Sequence, residues 1–245
     1  GKIKSMPGFE EVKNFPTKKD DLQAIPILFW RDFIFISLNP KINIQSVLND
    51  IENRLQGYEF EKLVLDEKES RSYIIHSHWA LYCENYLEEF HIPFVHKGLT
   101  QDINIAEYET ILLDNAVLQT ATCSNSKDAI QLRKNAPDVG GKMYAYYYWI
   151  FPNLMLNFYA WGLSINIIEP LSTNKTRVKY LTYILPHINI PSSEGADVKT
   201  VELEDQEVTQ SVHKGINSRY YETGRYSAKF ETGVHHFHKL ISSLF

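Results

Sequence analysis

Asn85-Tyr86-Leu87-Glu88-Glu89-Phe90-His91-Ile92-Pro93-Phe94-Val95-His96 is the stretch on which the reading of this chain turns. It sets two histidines five residues apart, with a carboxylate, Glu88, three residues before the first. Trp79 to Phe90 has helical character, and Pro93 cannot continue a helix. The spacing therefore predicts a helix that ends near His91, with His91 at its C-terminus and His96 just past the break. Two imidazoles so placed can converge on one ion, and neutral imidazole is the commonest protein ligand for iron and zinc. Two ordinary histidines, one closing a helix and one on a loop, fit the same spacing, which by itself leaves both readings open.

The wording around the histidines is more specific. His78-Trp79-Ala80-Leu81-Tyr82-Cys83-Glu84-Asn85-Tyr86-Leu87-Glu88, followed by Phe90-His91-Ile92-Pro93-Phe94-Val95-His96-Lys97-Gly98-Leu99, resembles the catalytic-domain signature of the Rieske-type non-heme iron oxygenases. These are the alpha subunits of aromatic-ring-hydroxylating dioxygenases and relatives of the choline and carnitine monooxygenase kind. The family pattern is roughly N-W-K-x3-E-N-x2-[DE]-x2-H-x4-H. The chain departs from it at His78, where the family has Asn, and at Glu88, where most members have Asp.

The resemblance implies a mononuclear Fe(II) held by two histidines and one carboxylate, with open positions on the opposite face. His91 and His96 match the two histidines residue for residue. The family's carboxylate lies in an acidic pair before a downstream helix, which here reads Glu202-Leu203-Glu204-Asp205-Gln206-Glu207. Asp205 is the expected third ligand, with Glu204 one residue away as its rival. Read without the resemblance, the same acidic run is a helix N-terminus, where carboxylates are favoured by the helix dipole. Glu88 is expected to accept a hydrogen bond from a liganding imidazole and to relay toward the Rieske histidine of a neighbouring subunit. As a residue it also fits a solvent-facing helix end. Asn85 is either a core amide or a residue that orients water near the iron.

Composition bounds the rest. The chain has 245 residues, 44% of them hydrophobic and 13% aromatic, enough for one large domain or two small ones. Its 25 basic and 30 acidic residues give a charge of −5, and no electrostatic case for nucleic acid. No apolar run approaches the ~18 residues of a membrane helix, and no secretory signal is visible. Two scattered cysteines, Cys83 and Cys123, suit a reducing cytoplasm. A Rieske cluster needs two Cys and two His. In the resembled family these come as C-x-H and C-x2-H, and neither is present. The chain is therefore expected to be a fragment of a longer protein. Residues 1–40 would be a connector after the missing Rieske domain, including a hairpin over 25–38, and 41–245 the catalytic domain.

Along the chain, Ile25 to Trp30 and Phe33 to Leu38 read as the hairpin strands, joined by Arg31-Asp32. Ile42 to Leu55 has helical spacing. Glu59 to Asp66 and Glu69 to Ser77 alternate as strands, Val95 to Ala106 reads as a loop, and Tyr108 to Cys123 reads mostly as strand. Asn135 to Lys142 is a Pro/Gly loop. Met143 to Tyr159 resembles the family's Y-x-W-x-F-P-N strand. Ser164 to Glu169 and Thr176 to Leu185 are further strands, and Pro191 to Asp197 is a polar loop. Glu202 to Ile216 is helical, and the chain ends in an amphipathic helix on Phe230, Val234, Phe237, Leu240 and Ile241. The order predicts an α+β fold with an antiparallel sheet. The resemblance implies its helix-grip (Bet v 1/START-like) form, a curved sheet around a long C-terminal helix.

Phe151, Asn153, Met155 and Asn157 share strand parity and are candidate pocket residues, amides among apolar groups being a pattern that pockets use for orientation. They equally fit the outer face of the sheet. His76 and His78 are read as structural, and His235, His236 and His238 as a surface cluster. The function implied is a terminal oxygenase that hydroxylates an aromatic or other small organic substrate with O2. Electrons would come from NAD(P)H through a reductase or ferredoxin and a Rieske [2Fe-2S] cluster, in a homotrimer. The alternative is a helix-grip module that binds a small molecule or lipid and keeps its metal ligands as vestiges. A zinc hydrolase ranks last, because H-E-x2-H and H-x2-E-H are both absent.

Overall fold

The structure is a computed structural model that describes residues 1–188 and 198–245. The loop expected over Pro191 to Asp197 lies outside the described residues. The chain divides into two compact units, Gly1–Asn43 and Ile44–Phe245.

The first unit holds one antiparallel hairpin, β1 (Ile27–Trp30) and β2 (Phe33–Ile36), with Ile27 opposite Ile36 and Phe29 opposite Ile34. These four facing residues are all exposed. Arg31 in the turn takes a positive φ of 51°.

The second unit is built on a seven-stranded antiparallel sheet. Its strands are β3 (Val64–Ile75), β4 (Glu109–Leu113), β5 (Ala116–Thr122), β6 (Met143–Ile150), β7 (Leu154–Tyr159), β8 (Gly162–Ser172) and β9 (Lys175–Ile184). Their spatial order is β3-β9-β8-β7-β6-β5-β4. From β4 to β9 the sheet is a meander of hairpins, and β3 adds beside β9, on the edge opposite β4. The middle strands are buried on both faces because helices cover both. Below lies α1 (Gln45–Arg54), which buries Val47, Leu48 and Ile51. Tyr148 donates to Asp50 Oδ2 at 2.7 Å, Tyr146 donates to Asp138, and Arg54 grips Asp138 at 2.8 Å. The phenols and carboxylates thus satisfy one another where α1 meets the sheet. Above lie α2 (Trp79–Tyr86), α5 (Val198–Ile216) and α6 (Thr232–Ser242). Phe237 of α6 meets the rings of Trp79 and Trp149 edge-on and is fully buried.

Several expectations are corrected. The helix from Trp79 stops at Tyr86, where the Leu87 N–H is shared between Cys83 O and Glu84 O and the last turn tightens. A new short helix, α3 (Ile92–Val95), begins after His91. Pro93 therefore sits in the first turn of a helix, where its missing N–H costs nothing, and does not terminate one. The two strands expected over Glu59 to Ser77 are a 3-10 turn, Phe60–Lys62, and the single strand β3. The register of β3 against β9 shifts between Asp66 and Arg71, where Asp66 accepts from the N–H groups of Lys68 and Glu69. Tyr108 to Cys123 is a hairpin turning at Asp114-Asn115, and the loop from Val95 contains a helical turn, α4 (Leu99–Asp102). The two C-terminal helices stand where they are expected: α5 has 19 residues, starting at Val198 ahead of the expected Glu202, and the final helix, α6, has 11. Among the described residues no helix is long and apolar enough to cross a membrane.

Candidate metal centre

Three donors meet above the sheet. His91 arrives from the bend between α2 and α3, His96 from the C-terminal cap of α3, and Asp205 from the second turn of α5. His91 Nε2 and His96 Nε2 lie 3.1 Å apart. Asp205 Oδ1 lies 3.1 Å from His96 Nε2 and 3.6 Å from His91 Nε2. Among the described residues these form the one group of three or more His, Cys, Asp or Glu donors that could hold a metal, all within 4.8 Å of one another.

The surrounding carboxylates face the other ring nitrogens. Glu88 Oε1 is 2.6 Å from His91 Nδ1, and Glu204 Oε2 is 2.7 Å from His96 Nδ1. A carboxylate on Nδ1 holds the proton there and leaves Nε2 as the lone-pair donor. Glu88 also accepts from the backbone N–H groups of Phe90 and His91, which is what folds the chain back after α2. Glu204 and Asp205 are adjacent on α5 and so meet His96 from different sides. Asp205 shares the Nε2 side and Glu204 does not. Asn85 donates from Nδ2 to Asp205 Oδ1 at 2.7 Å, orienting the carboxylate.

The field is that of a cation site. Burial works against protonation of His91, yet its hydrogen bonds to Asp205 and Glu88 prevail and raise its pKa to about 9. His96 is raised on the same balance, burial opposed by Asp205 and Glu204. Burial alone would raise Asp205. The two imidazoles outweigh it and bring the carboxyl down to about 2. Two nitrogens and one carboxylate oxygen at this spacing suit a divalent first-row metal with open positions.

The centre opens on a cavity of about 120 Å³. One wall is the upper face of the sheet. Strand register lines up Gln119, Tyr147, Asn157 and Ser164 across β5 to β8, and sets Asn166 beside Tyr180 on β8 and β9. All of them line the cavity, with Tyr159 and Trp161 stacked at 4.9 Å and 10° at one end. Tyr144 is on the opposite parity to Tyr147 yet joins them, next to the register shift between β5 and β6. Tyr82 and Tyr86 come from α2, and Val201, Glu202 and Asp205 from α5. Tyr82 and Tyr180 share a short hydrogen bond between their hydroxyls. Burial holds the phenols of Tyr82, Tyr86, Tyr108, Tyr147 and Tyr180 well above their ordinary range, so they present neutral O–H groups and ring faces.

Asn157 lines this cavity and accepts from the Tyr86 hydroxyl at 2.6 Å. Three other candidate pocket residues do not line it. Phe151 and Asn153 precede β7, and the Asn153 amide is spent on Ile168 O at 2.6 Å. Met155 has the right parity but is fully buried farther along the strand. His76 and His78 do not alternate on a strand, because β3 ends at Ile75, and His78 caps α2 through the Ala80 N–H. His236 bonds Leu113 O, and His238 lies between Glu84 and Tyr226, so the last histidines have separate partners. The tyrosine wall was not anticipated. Its signal was the parity of β7, since Tyr159 follows Asn157 by two.

Residues 61–244 match the family described as ring hydroxylating alpha subunit, catalytic domain. Choline monooxygenase of Arabidopsis thaliana is 26% identical over 94% of this chain and 56% of its own length. The carnitine monooxygenase oxygenase subunit of Escherichia coli K12 is 24% identical over 96% of this chain and 65% of its own. A solved quaternary ammonium Rieske monooxygenase superposes with a TM-score of 0.70 at 17% identity, covering 97% of this chain and 66% of that one. The chain thus spans about half the length of the plant relatives it matches. The family match extends over most of the chain, and the chain belongs to the ring-hydroxylating alpha-subunit family.

Proposed function

We propose, from its membership of that family, that this chain is the catalytic domain of a Rieske-type oxygenase. On this reading His91, His96 and Asp205 hold a mononuclear Fe(II), and the substrate is an alkylammonium compound. The observation that carries the proposal is the convergence of two Nε2 atoms and one carboxylate oxygen at a cavity walled by seven tyrosines and a tryptophan. Bound iron would supply the activation of O2 that hydroxylation needs. The chain's own residues do the rest. Glu88 and Glu204 keep the ligand tautomers, Asn85 aims the Asp205 carboxylate, and the sheet face excludes bulk water. The aromatic rings bind the substrate cation by their negative faces, a contribution of about 0.5–2 kcal/mol per good contact.

The family allows an aromatic substrate, as the sequence reading also does. The tyrosine wall and the names of the relatives, which specify choline and carnitine, favour a quaternary or other alkylated amine. In the full-length protein a [2Fe-2S] Rieske cluster, a reductase or ferredoxin drawing on NAD(P)H, and a homotrimer complete the reading. Residues 1–40 act as the connector to the Rieske domain, and 41–245 take the helix-grip form. A cytoplasmic setting belongs to the same reading and suits the two free thiols, Cys83 and Cys123. The test is product analysis with the full-length protein, an electron donor and O2. O2-dependent oxidation of choline or a near analogue, lost in His91→Ala, is expected. Turnover of naphthalene and of no alkylammonium would move the substrate to the arenes. Binding of small molecules without iron or turnover would leave a binding module.

A further inference from the structure

The cavity contains a carboxylate that the metal centre does not use. Glu202 stands three residues before Asp205 on α5, so the two project from one face of the helix. Glu202 is 5% exposed and lines the cavity. Its Oε2 lies 3.3 Å from Arg71 Nε on β3, but Arg71 is shared: its Nη2 lies 3.1 Å from Glu69 Oε2. Arg71 thus divides one positive charge between two carboxylates. Arg71 does not line the cavity, so the carboxylate is the member of the group that faces it. Among the described residues the lining includes no Lys or Arg, and its acidic members are Glu88, Glu202 and Asp205. Residues 189–197, Asn-Ile-Pro-Ser-Ser-Glu-Gly-Ala-Asp, add no basic side chain by sequence. Glu88 and Asp205 are engaged by the imidazoles. Neutral hydrogen-bonding groups are present on the sheet wall in Ser164, Asn166 and Tyr180.

Resting on the proposed alkylammonium substrate, we infer that Glu202 determines specificity. Its charge attracts the substrate cation into the aromatic wall and rejects any substrate with a carboxylate of its own, so the substrate is a cation with a neutral tail, such as an amino alcohol. A carboxylate brought within several ångströms of Glu202 in this partly desolvated cavity is disfavoured by about 10- to 100-fold in binding. No positive side chain on the described wall offsets this.

The test is calorimetric binding under anaerobic conditions to the Fe(II)-loaded protein, with three probes: choline, the larger carboxylate-bearing L-carnitine, and 3,3-dimethylbutan-1-ol, the uncharged isostere of choline. The wild type is expected to bind choline at least about 10-fold more tightly than either of the others. In Glu202→Gln choline should weaken by about 10-fold and L-carnitine should tighten, so that their ratio collapses while iron content stays at the wild-type value. Glu202→Asp, which keeps the charge, should keep the preference for choline, and it serves if the Gln variant does not fold. Equal binding of choline and L-carnitine by the wild type, or an unchanged ratio in Glu202→Gln, overturns the role of Glu202 and leaves the alkylammonium reading standing. Failure of choline and L-carnitine alike to bind, with naphthalene bound instead, overturns the alkylammonium reading and this inference with it.

Discussion

Asp205 and Glu204 are neighbours in sequence and face different atoms of the same imidazole. Asp205 Oδ1 is 3.1 Å from His96 Nε2, and Glu204 Oε2 is 2.7 Å from His96 Nδ1. Glu204→Ala should therefore keep the metal and weaken its binding by about 10- to 100-fold, the usual cost of losing a carboxylate behind a liganding imidazole. Titration with Fe(II) under anaerobic conditions measures this, and complete loss of binding would make Glu204 a ligand. Glu88→Gln should behave like Glu204→Ala, because Glu88 stands behind His91 in the same way. The two histidines and the acidic pair were legible in the sequence, and so was the acceptor role of Glu88. The choice between Glu204 and Asp205 was not, because it depends on the rotational phase of α5 relative to α3, which is fixed by packing between residues a hundred positions apart.

At the scale of elements, α6 packs against α2, which carries Asn85 of the site. Gly233 opens α6 against the end of α2, and a Cβ there would stand 2.6 Å from Leu87 O and 3.4 Å from Val117. Gly233→Ala should therefore destabilise the fold by about 1–3 kcal/mol, read as a lower Tm. Phe237→Ala removes a fully buried ring from between Trp79 and Trp149 and should cost about 3–5 kcal/mol in denaturant unfolding. No measurable change in either variant would mean that α6 does not pack as described. The strands β8 and β9 and the helical character of α1, α5 and α6 could be read from the sequence, whereas Met143 to Tyr159, read as one strand, is the hairpin of β6 and β7. The break between α2 and α3 could not, because Pro93 is compatible both with the end of one helix and with the first turn of the next. What decides is the Glu88 carboxylate holding the N–H groups of Phe90 and His91. The hairpin turn at Asp114-Asn115 was not read, because the short polar pair is masked by the strand character on either side.

At the scale of the molecule, the hairpin of the first unit leaves Ile27, Phe29, Ile34 and Ile36 exposed on one face, with Phe29 71% and Ile36 71% accessible. A contiguous apolar face of this kind promotes self-association. Phe29→Lys combined with Ile34→Lys should lower the concentration-dependent association of the chain in sedimentation velocity, and an unchanged profile would show that this face plays no part. Metal, in contrast, acts on the second unit: at a hundredfold excess over its Kd it should add about 2.7 kcal/mol to stability by mass action. The class of the sheet and its antiparallel order were legible, whereas the cavity was not, because it arises from cross-strand register that brings Gln119, Tyr147, Asn157 and Ser164 into one row. The three-residue metal centre is tested by iron content after anaerobic loading with Fe(II), for the wild type and for His91→Ala, His96→Ala and Asp205→Ala. About one iron per chain is expected in the wild type and none in the three variants, each still folded. A folded wild type that takes up no iron would contradict it.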